Sequence, residues 1–273
     1  MGRCFEGLDE KNIEFETGKS YCLVVHNKSY GKHILKKFIC GDLENNLIIE
    51  PDSNIGIDEI REVIDFLDFR SANDRKIVVI LEADKMTQEA ANAFLKTLEE
   101  PPEYGIIILV TSRYASLLPT IKSRVQKINV KFPALSNDLG DFEKHIVFWN
   151  FDYLERIKNG DYVVLSEDEL QNDEIDELSA LLTLKSLIDK YRALPFDEFL
   201  KFTGKLSKIS NFKFLKIFSK VISWYIFQNN GLSKGEKLKY LKICDEIQKS
   251  KLANFNYQLT YYLLLLGLRG DNL

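Results

Sequence analysis

The chain lacks the long apolar run that a membrane span needs: nowhere in its 273 residues do about 18 apolar residues follow one another. Its opening stretch, MGRCFEGLDEKN, has no apolar segment of the secretory kind. No Ser or Thr follows the Met-Gly start where myristoylation wants one. Cysteine is scarce. Cys4, Cys22, Cys40 and Cys244 form no C-x-x-C pair, which excludes a disulfide framework and reads as free thiols of a reducing cytoplasm. Three histidines, His26, His33 and His145, show no ligand spacing, so no metal is expected.

What is present fits a well-packed globular protein of two or three domains: 45% hydrophobic residues and 12% aromatics. The net charge of −4 hides an uneven distribution. Residues 131–180 hold 13 acids and 4 bases, whereas residues 201–251 hold 12 lysines and 3 acids. The lysines recur as Lys201/Lys205/Lys208, Lys213/Lys216/Lys220 and Lys239/Lys242, a spacing that lays them along helix faces. They read as a solvated face, as an attraction for DNA phosphates, or as partners for an acidic neighbour.

The most informative stretch runs from Lys76 to Arg124, KIVVILEADKMTQEAANAFLKTLEEPPEYGIIILVTSRYASLLPTIKSR. The runs Ile77–Leu81 and Ile106–Val110 are β-branched, short and bounded by turn signals, and predict strands buried on both faces. Between them Ala91, Phe94, Leu95 and Leu98 share one helical face, Thr87 is a candidate N-cap, and Pro101-Pro102 stop the helix. Strand, helix, strand is a parallel crossover unit, whose ligands gather at the carboxyl ends of the strands. Glu82, Asp84, Thr111 and Ser112 fall there.

At LEADKMTQEAANAFLKTLEEPPE and LVTSRYASLLPTIKSR the chain resembles the gamma and delta-prime clamp-loader subunits of bacterial DNA polymerase III, which are AAA+ proteins. IGIDEIREVIDFLDF (Ile55 to Phe69) resembles the helix before that family's second core strand, and LANFNYQL (Leu252 to Leu259) its asparagine-rich turn. The resemblance implies an α/β fold with an AAA+ P-loop-type parallel sheet over residues 1–130. A small lid over 131–180, divergent and acidic, and an all-α collar over 181–273 would follow. DYVVLS (Asp161 to Ser166) looks strand-like within the lid. Apolar residues at helical spacing, with Phe212, Phe214, Leu215, Phe218, Trp224, Tyr225 and Phe227 crowding one segment, predict a bundle core in the collar.

The phosphate-binding loop should follow the strand Tyr21–Val25. Against G-x-x-x-x-G-K-[ST], Gly31 and Lys32 match, but His26 replaces the first Gly and His33 the final Ser/Thr. A β-carbon at 26 restricts the cradle, and a histidine at 33 removes a Mg²⁺-ligating hydroxyl. The family's Mg²⁺-supporting Asp is here Leu81, which leaves Glu82, at the water-activating position, without its metal. Lys32 reads as a residual phosphate contact or as a surface helix-start lysine. Thr111 and Ser112 read as γ-phosphate sensors or as backbone caps. Many relatives carry a four-cysteine zinc module after the first strand; GDLENNLIIEPD is too short and cysteine-free, so no zinc is expected.

Ser123-Arg124-Val125 matches the family's Ser-Arg-Cys motif. In that family the arginine reaches a γ-phosphate held by a neighbouring subunit, a task suited to a forked, permanently charged guanidinium. Ser123 supports the loop, and Arg113 is an exposed loop residue. The resemblance implies a non-hydrolysing, delta-prime-like subunit with no cofactor of its own. It would assemble with gamma/tau and delta, and ATP and Mg²⁺ would be bound by a neighbour. The assembly would load a sliding clamp onto primed DNA. An active gamma-like ATPase, supported by Lys32 and Glu82, is the alternative. A DNA-binding scaffold outside replication, resting on the lysine faces, is a third reading.

Overall fold

The computed structural model describes residues 13–36, 38–39, 45–69, 75–166, 168–172, 174–250 and 255–269. Cys4, Cys40 and the whole opening stretch MGRCFEGLDEKN lie outside them. The chain forms two compact units, Met1–Leu154 and Glu155–Leu273. Their boundary falls inside the stretch read above as a lid.

The first unit is built on a five-stranded parallel sheet: β1 (Lys19–Val24), β2 (Asn46–Ile49), β3 (Lys76–Ile80), β4 (Gly105–Thr111) and β5 (Gln126–Asn129), in the order β2-β3-β4-β1-β5. Every residue of β3 and β4 is buried, because helices cover both faces of a parallel sheet. The register runs Ile77↔Ile106 and Ile80↔Leu109 between β3 and β4, and Lys19↔Ile106 between β1 and β4. The connection GDLENNLIIEPD contains β2, an edge strand that its length concealed. Four residues show no reliable period, and only pairing with β3 identifies them.

Helix α1 (Lys28–Leu35) follows β1, α2 (Ile57–Asp68) follows β2, and α3 (Gln88–Glu99) follows β3. Helix α3 meets its expectation. Thr87 Oγ1 accepts from Ala90 N at 3.2 Å, and Ala91, Phe94 and Leu98 are buried with Leu95 at the edge of the stripe. Ile60, Val63 and Leu67 of α2 pack into the same core as Phe94. Fully burying one such side chain contributes about 1.5–3 kcal/mol, so this face holds the helices to the sheet. The single-turn α4 (Pro119–Lys122) leads to β5, and α5 (Asp141–Trp149) follows the sheet.

The second unit is helical: α7 (Glu177–Arg192), α8 (Phe196–Leu206), α9 (Phe212–Gln228), α10 (Lys234–Lys249) and α11 (Tyr257–Arg269), preceded by α6 (Tyr153–Asn159), across which the boundary falls. Helix α9 is its centre, with Phe214, Leu215, Phe218, Tyr225 and Ile226 buried; Phe227 points outward, 66% exposed. Tyr225 donates to Asp189 at 2.5 Å, so its hydroxyl is satisfied inside the bundle. Lys201 and Lys205 lie on the exposed side of α8, as their spacing indicated, and Lys208 is exposed in the turn that follows it.

DYVVLS is not a strand. The N–H groups of Val163 and Leu165 donate to Ser179 Oγ and Thr183 Oγ1, both at 3.0 Å. Side chains of α7 thus satisfy the extended backbone that a neighbouring strand would otherwise pair. No helix among the described residues is long and apolar enough to cross a membrane. Cys22 and Cys244 are buried, and burial pushes both thiols up to about 12, which makes them inert packing residues.

Candidate functional site

The carboxyl ends of β1, β3 and β4 meet where the sequence placed a phosphate loop. Only Val25, His26 and Asn27 separate β1 from α1. The Asn27 side chain caps the helix, accepting from Tyr30 N at 2.8 Å, and Gly31 N already donates to Asn27 O at 3.1 Å. Gly31 and Lys32 therefore lie in the second turn of a helix, not in a loop of outward N–H groups. The glycine has a packing reason: a Cβ at 31 would come within 2.7 Å of Val110 Cγ1. Its absence lets α1 sit close on β4.

The start of α1 is covered by the chain that follows the sheet. The ring of His26 lies 3.5 Å from Phe148 and 5.2 Å from Phe132, and His33 lies 4.8 Å from Phe151. Polar contacts fix the cover: Asn27 Nδ2 donates to Phe148 O at 2.8 Å, Phe151 N to Ser29 Oγ at 2.7 Å, and Tyr30 OH to Lys131 O at 2.7 Å. Burial in this aromatic cluster lowers the proton affinity of His26, opposed by a hydrogen bond with the Phe148 backbone.

Lys32 points to a carboxylate supplied by β2's end. Glu50 receives Lys32 at 2.5 Å and Lys28 at 2.8 Å; Glu82 receives Lys85 at 2.9 Å and Lys28 at 3.3 Å. The two lysines hold the Glu50 carboxyl below its usual range. Glu82 is in the left-handed region at φ 50°, the one such non-glycine among the described residues, a strained conformation. Leu81 is buried and, with Leu35, Ile48 and Val79, lines an apolar cavity of about 290 Å³ beside Lys32.

Asp84 and Thr111 join the ends of β3 and β4. Thr111 Oγ1 donates to Asp84 Oδ1 at 2.5 Å and accepts from Arg113 N at 2.9 Å. Arg113 grips the other Asp84 oxygen through Nη2 at 2.6 Å and Nε at 2.9 Å, while the Asp84 side chain is only 3% exposed. Arg113 is an exposed loop residue, as expected, and it also forks onto a buried carboxylate. Ser112 beside it is exposed.

Ser123 and Arg124 lie at the opposite end of the sheet. Tyr21 pairs with Gln126 and Val24 with Asn129, so Arg124 precedes the start of β5. Five residue steps, at about 3.3 Å each or roughly 17 Å in all, separate it from the level of Asn129 beside the end of β1. The guanidinium is held on one side: Nε donates to Glu99 Oε2 at 3.0 Å, and Nη1 to Thr120 O at 3.1 Å and Ser123 Oγ at 3.2 Å. Ser123 Oγ in turn donates to Thr120 O at 3.0 Å. Nη2 has no protein acceptor among the described residues. Arg124 borders an open groove of about 440 Å³ that Glu99, Ser123, Val125 and Gln126 also line.

The sequence reading located Arg124 but missed Glu50, Glu99, Phe132, Phe148 and Phe151. Each is distant in sequence from its partner. Only the position of Glu99, an acid in the last turn of a helix, hinted at a waiting cation.

Comparison with known proteins agrees with both parts of the chain. A family model described as "DNA polymerase III, delta subunit" matches residues 23–134, and one described as "DNA polymerase III gamma subunit-related, C-terminal domain" matches residues 187–270. The chain is 41% identical over 33% of its length to DNA polymerase III subunit tau of Bacillus subtilis. It is 40% identical over 29% of its length to subunit delta' of Haemophilus influenzae, and 26% identical over 86% to subunit gamma/tau of Mycoplasma genitalium. The matched segments span 16%, 25% and 43% of those three relatives, less than half of each. The crystal structure of a DNA polymerase III gamma subunit-related protein from Thermotoga maritima superposes with a TM-score of 0.65 at 28% identity, covering 95% of this chain and 97% of that one. Two family models on successive parts, and one solved relative aligned along nearly the whole length, have the same meaning: the chain belongs to the gamma and delta-prime family of bacterial DNA polymerase III clamp-loader subunits.

Proposed function

We propose that this chain is a delta-prime-like, non-hydrolysing member of a clamp-loader ring and supplies Arg124 in trans to a neighbour's ATP. The reading has two supports in the first unit. Its own would-be nucleotide position does not fit a magnesium nucleotide. The position of the metal-holding acid is buried Leu81, the hydroxyl position is His33, and Lys32 is paired with Glu50. The observation that carries the reading is the second: Arg124 sits at the opposite end of the sheet, on the edge of an open groove, with no acceptor for Nη2 among the described residues. From there it serves no site in its own subunit.

The helical unit binds neighbouring gamma/tau and delta subunits, and residues 131–180 act as the lid that follows an AAA+ sheet. The assembled ring, working in the cytoplasm, opens a sliding clamp and places it on primed DNA. The neighbour holds ATP and Mg²⁺; this chain holds neither, nor zinc. An arginine delivered in trans accelerates phosphoryl transfer by about 10³–10⁵. Arg124→Ala in the reconstituted assembly therefore slows hydrolysis at the site it serves by about 10³-fold, read as loss of that site's share of the pre-steady-state burst. An unchanged burst would overturn the reading. The match of the C-terminal helices to a gamma-related domain favours one alternative, a gamma-like ATPase. Saturable MgATP hydrolysis by the purified chain, abolished by Lys32→Ala, would establish it.

A further inference from the structure

An arginine finger works only if its fork is aimed, because a misplacement of about 1 Å can cost about 10²-fold in rate. A free arginine side chain samples many rotamers, so something must hold it. Glu99 ends α3, where the helix dipole disfavours a negative charge. Its carboxylate sits 3.0 Å from Arg124 Nε, and the pair is open to solvent, Glu99 being 60% and Arg124 29% exposed. Such an exposed pair adds little to stability, so folding alone gives a poor account of an acid placed there. What the pair does achieve is direction. With Nε on Glu99, and Nη1 on Thr120 O and Ser123 Oγ, the guanidinium plane is fixed at the edge of the groove that Arg124 lines, and Nη2 has no acceptor among the described residues.

We infer that Glu99 is a positioning residue for Arg124, orienting Nη2 toward a terminal phosphate oxygen of the nucleotide held by the neighbouring subunit. The inference rests on the reading of Arg124 as a finger. Glu99 touches no nucleotide itself. It acts through the arginine, with Ser123 and the Thr120 carbonyl as the other two supports.

The test uses the reconstituted assembly with three variants of this chain. Glu99→Ala lowers kcat at the served site by about ten-fold and leaves KM for ATP unchanged, since the neighbour binds the nucleotide. Glu99→Gln, whose amide oxygen still accepts from Nε, restores most of the loss, which a general effect on folding or assembly would not do. Arg124→Ala in parallel separates the two ideas. If it slows turnover and Glu99→Ala does not, the positioning role fails and the finger stands. If Arg124→Ala has no effect, both fail. Faster turnover in Glu99→Ala would make Glu99 a restraint, and Glu99→Gln as slow as Glu99→Ala would remove the orienting hydrogen bond from the account; either result overturns the inference.

Discussion

The two ends of one sheet have different chemistry. At the carboxyl end the site's charged groups are paired with one another: Lys32 and Lys28 meet Glu50, Lys85 meets Glu82, and Arg113 meets Asp84. Aromatic rings cover the start of α1, and the residue after β3 is a buried leucine. At the amino end the partners of Arg124 hold Nε and Nη1, and Nη2 has no acceptor among the described residues. The contrast shows how a nucleotide fold can keep its sheet while its polar groups are rewired. The chain's own carboxylates answer the lysines that would otherwise meet phosphate, and an unanswered donor remains on Arg124 at the groove.

Three changes sharpen this contrast, beginning with the largest. Asp84→Ala removes the buried acceptor of Thr111 and the partner of the exposed Arg113 and should destabilise the chain by about 2 kcal/mol, read as a lower midpoint in denaturant with an unchanged slope. A loss near zero would mean that the network does not brace the closed end. Gly31→Ala inserts a methyl 2.7 Å from Val110 Cγ1. Overpacking should outweigh the gain in helix propensity and cost about 1 kcal/mol. A stabilised Gly31→Ala chain would show that the glycine serves something other than close packing.

The smallest effect is electrostatic. Burial depresses the pKa of His26 in the folded chain. Its contribution is therefore present above the unfolded value of about 6.5 and is lost as pH falls through the folded value. The denaturant midpoint should drop between pH 7.5 and 5.5, and His26→Phe should remove part of that drop. His145, also depressed by burial against Trp149, keeps the rest. A pH profile identical in His26→Phe would show that the aromatic cover does not desolvate residue 26.

Much of this was legible in the sequence because it is local. The runs Ile77–Ile80 of β3 and Ile106–Val110 of β4 are apolar at every position, Thr87 and Pro101-Pro102 bound α3, and Ser123-Arg124 is a contiguous motif. The altered residues at 26, 33 and 81 could also be read one at a time. What stayed hidden is long-range. Gly31-Lys32 matched a loop pattern although the backbone there is helical, because a pattern cannot report where a helix begins when Asn27 caps it early. Glu50 ends a strand too short to announce itself, and Phe148 meets His26 from more than a hundred residues away. DYVVLS carried the β-propensity of a strand, yet Ser179 and Thr183 satisfied its N–H groups first.

The central claim is that the closed end is silent and the open end acts on a neighbour. Its most direct test is the ATP turnover of the reconstituted assembly, measured side by side with Lys32→Ala and with Arg124→Ala in this chain. The account predicts wild-type turnover for Lys32→Ala, whose partner Glu50 is internal, and loss of the served site's turnover for Arg124→Ala. The reverse pattern, with Lys32→Ala crippled and Arg124→Ala unaffected, would contradict it.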